Sequence, residues 1–173
     1  RIMGTLTVDN LNVNSNIIGG KINAPMFLAN LNSDQTVTNN ARTKIQCATV
    51  VFDTAGNYDN STNFRFTPTT AGKYYVFGQV EIYATGQSNL QWLLTEVWKN
   101  GTSSSSTTNV FQGYTDHRNN YGDGGNAYAG GIFDMNGSSD YLELYAYPST
   151  TSGTPTAAAG TDGSYFGAFR IDV

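Results

Sequence analysis

His117 is the single histidine in the sequence, and Asp116 precedes it. A Ser-His-Asp relay would need that imidazole between a nucleophile and a carboxylate. Side chains adjacent in a loop seldom orient one another in that way, and no Gly-x-Ser-x-Gly elbow occurs. The three glutamates are Glu81, Glu96 and Glu143. Glycoside hydrolysis needs two carboxyl groups about 5–10 Å apart across the scissile bond. Glu81 and Glu143 both sit among tyrosines, so a polysaccharide depolymerase is one alternative; its requirement is that two carboxylates converge in a groove. Cys47 is the only cysteine, so it forms no internal disulfide and reads as a buried, inert thiol. One Cys and one His exclude an ordinary structural zinc site. The run TDHRNNYGDGG offers Asp116, Asn119, Asn120 and Asp123 as oxygen ligands for Ca²⁺, but not in EF-hand order. Its YGDGG lacks the Lys and the following helix of a phosphate loop. These residues predict a protein that is not an enzyme and carries no metal or cofactor.

The elements that must position these residues read as strand, turn, strand. Expected strands cover 25–30, 44–52, 63–67, 72–85, 89–99, 106–112, 127–134, 139–147 and 164–172. Asn100-Gly101 and Asn136-Gly137 are hairpin signals. Pro68, Pro148 and Pro155 fall where turns or strand ends belong. No useful stretch has a helical period, and many short strands at regular spacing predict a sandwich or jelly roll. Two long polar, Gly-rich connections, 101–126 and 148–163, are expected surface loops, where binding usually sits. The first holds the expected ligand-binding set Tyr114, Asp116, His117, Arg118, Tyr121 and Asp123, a mixture of aromatic, charged and hydrogen-bonding groups suited to glycans or proteins.

Composition narrows the function classes. Charged residues make up only 13% of the chain, and Asn, Ser, Thr and Gly supply the polar surface, as is common in extracellular and virion proteins. The net charge is −4 with basic residues scattered singly, which argues against a nucleic-acid partner. The apolar runs are far shorter than the ~20 residues of a membrane helix, so no membrane insertion is expected. Residues 1–20 repeat a short alternation, TLTVD then NLNVN, ended by Gly19-Gly20. They read as a stem or linker that needs copies of itself, or a sister chain, to cover it; the chain opens at Arg1 with no signal-peptide pattern, as a piece of a longer polypeptide would.

The segment KYYVFGQVEIYA carries Tyr74, Val76, Gly78, Val80, Ile82 and Ala84 on one face of a strand. The other face holds Tyr75, Phe77, Gln79, Glu81 and Tyr83, too aromatic for a solvated surface. A second subunit is the expected cover, with Tyr75, Phe77, Tyr83, Tyr128 and Tyr165 as contacts. YLELYAY turns Tyr141, Glu143, Tyr145 and Tyr147 outward; such a face reads either as a ligand platform or as a plain strand surface.

Residues 47–78, CATVVFDTAGNYDNSTNFRFTPTTAGKYYVFG, resemble the globular heads of the C1q/TNF jelly-roll family. Asp53, Tyr58, Phe66, Gly72 and Tyr74 match its pattern, with one extra residue between Tyr58 and Phe66. VWKNG, MNGSSDYLELYAY and SYFGAFRI follow in the family's order. The resemblance implies a ten-stranded jelly roll that assembles as a homotrimer and binds proteins, glycans or other ligands. No collagen repeat precedes it; the stem-like start and the Asn/Ser/Thr-rich surface are more similar to C1q-like tips of bacteriophage tail or head fibres. The expectation is therefore an all-β protein with a stem over 1–20 and a jelly-roll domain over 21–173. Its expected place is the virion, as an extracellular appendage. There it binds a host-surface glycan or protein, docks on other virion proteins through the stem, and associates with itself. A capsid decoration or adaptor with a purely structural role, and a secreted C1q-like protein, are the further alternatives.

Overall fold

The computed structural model describes residues 24–86, 89–101 and 109–171. The stem reading of residues 1–20 lies outside the described residues. Every regular element among the described residues is a strand: β1 (Met26–Asn30), β2 (Gln35–Thr36), β3 (Thr43–Lys44), β4 (Thr49–Asp53), β5 (Tyr58–Asp59), β6 (Arg65–Phe66), β7 (Gly72–Ala84), β8 (Leu90–Lys99), β9 (Val110–Asp116), β10 (Gly124–Met135), β11 (Leu142–Thr150), β12 (Pro155–Ala157) and β13 (Tyr165–Arg170). They form two antiparallel sheets. In the first, β10 and β13 flank β7, β12 extends the β13 side towards β2, and β1 and β4 follow β13. In the second the order is β5-β6-β11-β8-β9, with β3 beside β11. The all-β jelly-roll sandwich expected from the sequence is the architecture.

The long strands form where side chains alternate between core and outer face. In β7, Tyr74, Val76, Gly78, Val80, Ile82 and Ala84 are all buried, and the alternate residues face outward, as the period predicts. Phe27 is the centre of the core: its ring stacks on Tyr58 (centroids 4.5 Å) and Phe66 (4.6 Å) and meets Phe166 edge-on (5.1 Å). The buried Tyr58 hydroxyl donates to the Cys47 carbonyl at 3.0 Å. The family-pattern residues Tyr58, Phe66 and Tyr74 are thus core residues, and Asp53 accepts the Tyr58 amide at 2.8 Å. Tyr58 and Phe66 are cross-strand partners, and the turn between them, which takes the extra residue, is held by Asp59, whose carboxylate accepts the amides of Ser61, Thr62 and Asn63.

Several expected boundaries move. The span 44–52 breaks into β3 and β4. Pro148 lies inside β11, opposite Leu93, rather than at a strand end. Asn136-Gly137 is no two-residue hairpin, because it carries the chain from β10 in one sheet to β11 in the other. Its geometry is instead a loop tied by the Asn136 side chain, which accepts the amides of Ser138, Ser139 and Asp140. Asn100 and Gly101 both have positive φ (59° and 57°), as the hairpin signal requires. They open the connection from β8 to β9 without completing it, since Lys99 reaches on to the Asn109 carbonyl. The expected loop 148–163 contributes the end of β11 and all of β12.

The sandwich closes at the β9–β10 edge. A Cβ on Gly113 would lie 1.7 Å from the Tyr128 carbonyl oxygen. The Thr115 hydroxyl donates to the Asn126 carbonyl at 2.6 Å. Only a residue without a side chain permits this approach of two backbones.

Candidate functional site

Two surfaces concentrate the residues singled out from the sequence. On the outer face of the first sheet, Tyr75 and Tyr128 join hydroxyl to hydroxyl at 3.0 Å. Burial first, then that hydrogen bond, raises the Tyr128 phenol above its ordinary value. Phe77 neighbours Tyr75 (6.1 Å) and Tyr165 (6.3 Å), and Tyr75 neighbours Phe169 (5.6 Å). The cross-strand partners of Phe77 are Gly130 and Gly167. A Cβ on Gly167 would lie 2.6 Å from the Phe77 ring, so the glycine lets that ring lie down across the sheet. Four of the five expected subunit contacts (Tyr75, Phe77, Tyr128, Tyr165) therefore form one group. Tyr83 stands apart at the end of β7 on the same face, its hydroxyl donating to Asp34 at 2.6 Å. That bond lowers the Asp34 carboxyl and raises the Tyr83 phenol. The group widens with side chains missed in the sequence: exposed Ile132 on β10 and exposed Val51 and Phe52 on β4, which lie beside Phe77 on either side of a bulge in the pairing with β1. Their signal, a short apolar run in VVFD and an outward Ile in GGIFD, gains meaning only once β4 and β10 lie in one sheet with β7.

The second surface lies around β9. Tyr114 and Asp116 are strand residues, not members of a long loop: β9 runs from Val110 to Asp116 in register with β8. The expected strand 106–112 is thus displaced towards the C-terminus, and 102–108 lie outside the described residues. Tyr114 is half exposed. Asp116 is held by Arg118, whose Nε and Nη2 donate to it at 3.0 and 2.6 Å. This guanidinium lowers the Asp116 carboxyl well below the usual carboxylate range. His117 departs from expectation by turning inward. Its Nε2 is buried without a hydrogen-bond partner. A Cβ on Gly125 would lie 2.7 Å from that nitrogen, so the ring is lodged against the start of β10. Tyr121 is exposed at the turn and accepts a long bond (3.4 Å) from Gln91. Asp123 anchors the turn through its carbonyl, which accepts the Ala84 amide at 3.2 Å. Among the described residues no group of three or more His, Cys, Asp or Glu side chains gathers to hold a metal. Glu81 lies on β7 and Glu143 on β11, in different sheets, so this pair does not converge.

Beside Tyr114, the outer face of the second sheet carries a chain of rings and cations. Tyr114 neighbours Trp92 (6.4 Å, tilted), and Trp92 meets Tyr147 perpendicularly at 4.8 Å. The Arg42 guanidinium lies 4.5 Å above the Tyr147 ring. It donates Nε to one oxygen of Glu96 at 2.7 Å and Nη2 to the other at 3.0 Å. Trp98 stacks on Tyr145 at 4.3 Å, and Lys44 pairs with the buried Glu143. The outward set Tyr141, Glu143, Tyr145 and Tyr147 is as the alternation predicts. The Trp92, Leu94, Glu96, Trp98 row was legible in LQWLLTEVWK by the same period.

No family model and no curated protein matches the chain. Solved structures do. The globular domain of zebrafish complement 1qA protein is 13% identical with a TM-score of 0.52, covering 85% of this chain and 97% of that one. Murine APRIL is 11% identical with a TM-score of 0.57, covering 84% and 97%. Eiger TNF from S. frugiperda is 11% identical with a TM-score of 0.56, covering 86% and 95%. At such identities the likeness is one of fold, and it agrees with the strand order described above: the chain has a C1q/TNF-like jelly-roll fold.

Proposed function

We propose that this chain is the homotrimeric tip of a virion appendage, a bacteriophage tail or head fibre, which displays the β9–β10 end to a host-surface receptor and catalyses no reaction. The observation that carries this reading is the outer face of the first sheet. Tyr128, Ile132, Phe52 and Val51 are exposed there beside Tyr75, Phe77 and Phe169. A contiguous apolar patch of this breadth marks an interaction surface, and the resemblance to C1q/TNF heads implies a trimer. The stem-like alternation of residues 1–20 supports a fibre, with the stem docking on other virion proteins. The polar surface, rich in Asn, Ser, Thr and Gly, supports an extracellular place on the virion. Light scattering on residues 1–173 tests the assembly: a mass near three times 18.7 kDa is expected, and a stable monomer overturns it. Tyr75→Asp should dissociate the trimer. Alanine at Tyr114, Asp116, Arg118 and Tyr121 should abolish attachment of the virion to host cells. Unchanged attachment would favour the second reading, a capsid decoration that needs no receptor.

A further inference from the structure

We infer that the receptor group taken by this chain is a neutral glycan, and that its ring stacks on the step formed by Tyr114, Trp92 and Tyr147 rather than in the turn at 117–123; this rests on the receptor-binding reading above. Cross-strand register sets Tyr114, Leu94 and Tyr147 in one row across β9, β8 and β11, with Trp92 one row above. The rings are tilted at 45° and perpendicular at 84°, so none covers another face to face. An aromatic with an apolar body and a hydroxyl tip can stack on the C–H face of a pyranose and hydrogen-bond its rim. The exposed Gln112 adds an amide one row below.

Charge decides the class of ligand. Arg42 donates Nε and Nη2 to Glu96, and Arg118 donates the same two nitrogens to Asp116. The patch therefore carries two internally neutralised pairs and no surplus of either sign. A sialylated or sulfated ligand would meet a carboxylate beside each guanidinium and so gain no net charge attraction, whereas a neutral sugar needs only ring faces, hydroxyls and amides. The exposed apolar groups also differ between the two faces. Val50, Val51, Phe52, Tyr83, Tyr128 and Ile132 lie on the first sheet, while Tyr114 and Tyr121 are the large ones near this face. A protein partner would want the first kind of surface, and this one is sparse, ringed and polar.

The test uses the full chain on an array of neutral, sialylated and sulfated oligosaccharides, beside an assay of its attachment to host cells. Binding to a neutral oligosaccharide is expected, with a change in tryptophan emission, because Trp92 is half-buried whereas Trp98 is nearly enclosed. Tyr114→Ala should weaken that binding about tenfold, the scale of one aromatic stacking contact, without altering the melting temperature. Trp92→Phe, which keeps a ring, should weaken it less and guards against a folding artefact. Neutral-glycan binding that Tyr114→Ala leaves intact would overturn the inference, as would binding confined to anionic glycans. Attachment to cells with no oligosaccharide bound would overturn it while leaving receptor binding standing; loss of both would remove the functional reading itself.

Discussion

Removing the Arg42 side chain isolates a buried charge. The Glu96 side chain is 1% exposed and that of Arg42 is 27% exposed, so the carboxylate depends on its partner while the guanidinium keeps some water. Breaking a buried pair from one side costs about 3–5 kcal/mol. Partial hydration at the arginine end places Arg42→Ala at the lower end, about 3 kcal/mol. Loss of the guanidinium above Tyr147 adds about 0.5–1 kcal/mol. For a domain of this size the sum, about 3.5–4 kcal/mol, lowers the melting temperature by about 7–16 °C. Arg42→Lys keeps the charge but loses the bidentate fork, and should fall between wild type and Arg42→Ala. The double variant Arg42→Met with Glu96→Leu should recover most of the loss, because it removes both charges and keeps apolar volume. The assay is urea unfolding followed by tryptophan emission, at one protomer concentration because an assembling chain gains stability by mass action. The reasoning is refuted if Arg42→Ala costs less than about 1 kcal/mol or if the double variant is as unstable as the single one.

Phe27→Ala should cost about 3–5 kcal/mol, since its ring touches Tyr58, Phe66 and Phe166 at once; thermal unfolding measures it. Gly113→Ala should reach or exceed the upper end of the about 1–3 kcal/mol of an overpacked site, or fail to fold, because the new Cβ meets the Tyr128 backbone; soluble yield and melting temperature report it. Asp140 is raised by burial but lowered more by bonds from Asn100, Lys99 and the Asn136 amide, and ends below its ordinary 3.8. Its folded value lies below the unfolded one, so its contribution is present above 3.8 and fades as pH falls through the folded value. Asp140→Asn should flatten the stability profile in that acid range, and pH-dependent denaturation decides it. Burial raises the Cys47 thiol to about 12, so a thiol reagent at neutral pH should label it only on unfolding; labelling of the native chain would place the thiol at the surface.

What the sequence made legible followed from short-range period. The two faces of β7 and the outward tyrosines of β11 need only alternation along one strand. Tyr58, Phe66 and Tyr74 were legible as a pattern and are now legible as a core. What escaped depends on neighbours distant in the chain. β3 is two residues long and is a strand only because β11 lies beside it, so the placement of Arg42 and Lys44 over Glu96 and Glu143 could not be read from ARTK. β9 lies in a polar, Gly-rich run that reads as a loop; its Gly113 is required by a backbone from the other sheet. His117 looked accessible in a polar run, yet the glycines opposite leave room for its ring to turn inward. Asn136-Gly137 carries a hairpin's residues at a crossing between sheets, and sequence alone does not distinguish the two.

The placement of β1 bears on how the molecule would carry tension. β1 lies between β13 and β4, antiparallel to both: it pairs along its whole length with β13 and, across a bulge at Leu28/Ala29, over Phe27–Asn30 with β4. Tension delivered through Ala24 acts along the strand axis, across bonds that lie perpendicular to it. Such a strand is loaded in shear: the bonds on both flanks must give together instead of peeling one after another. Forced rupture is governed by the rate of unfolding, and a doubly clasped strand at the pulling point raises that barrier. A pull applied ahead of β1 would therefore load a seam of the fold that is held on both sides.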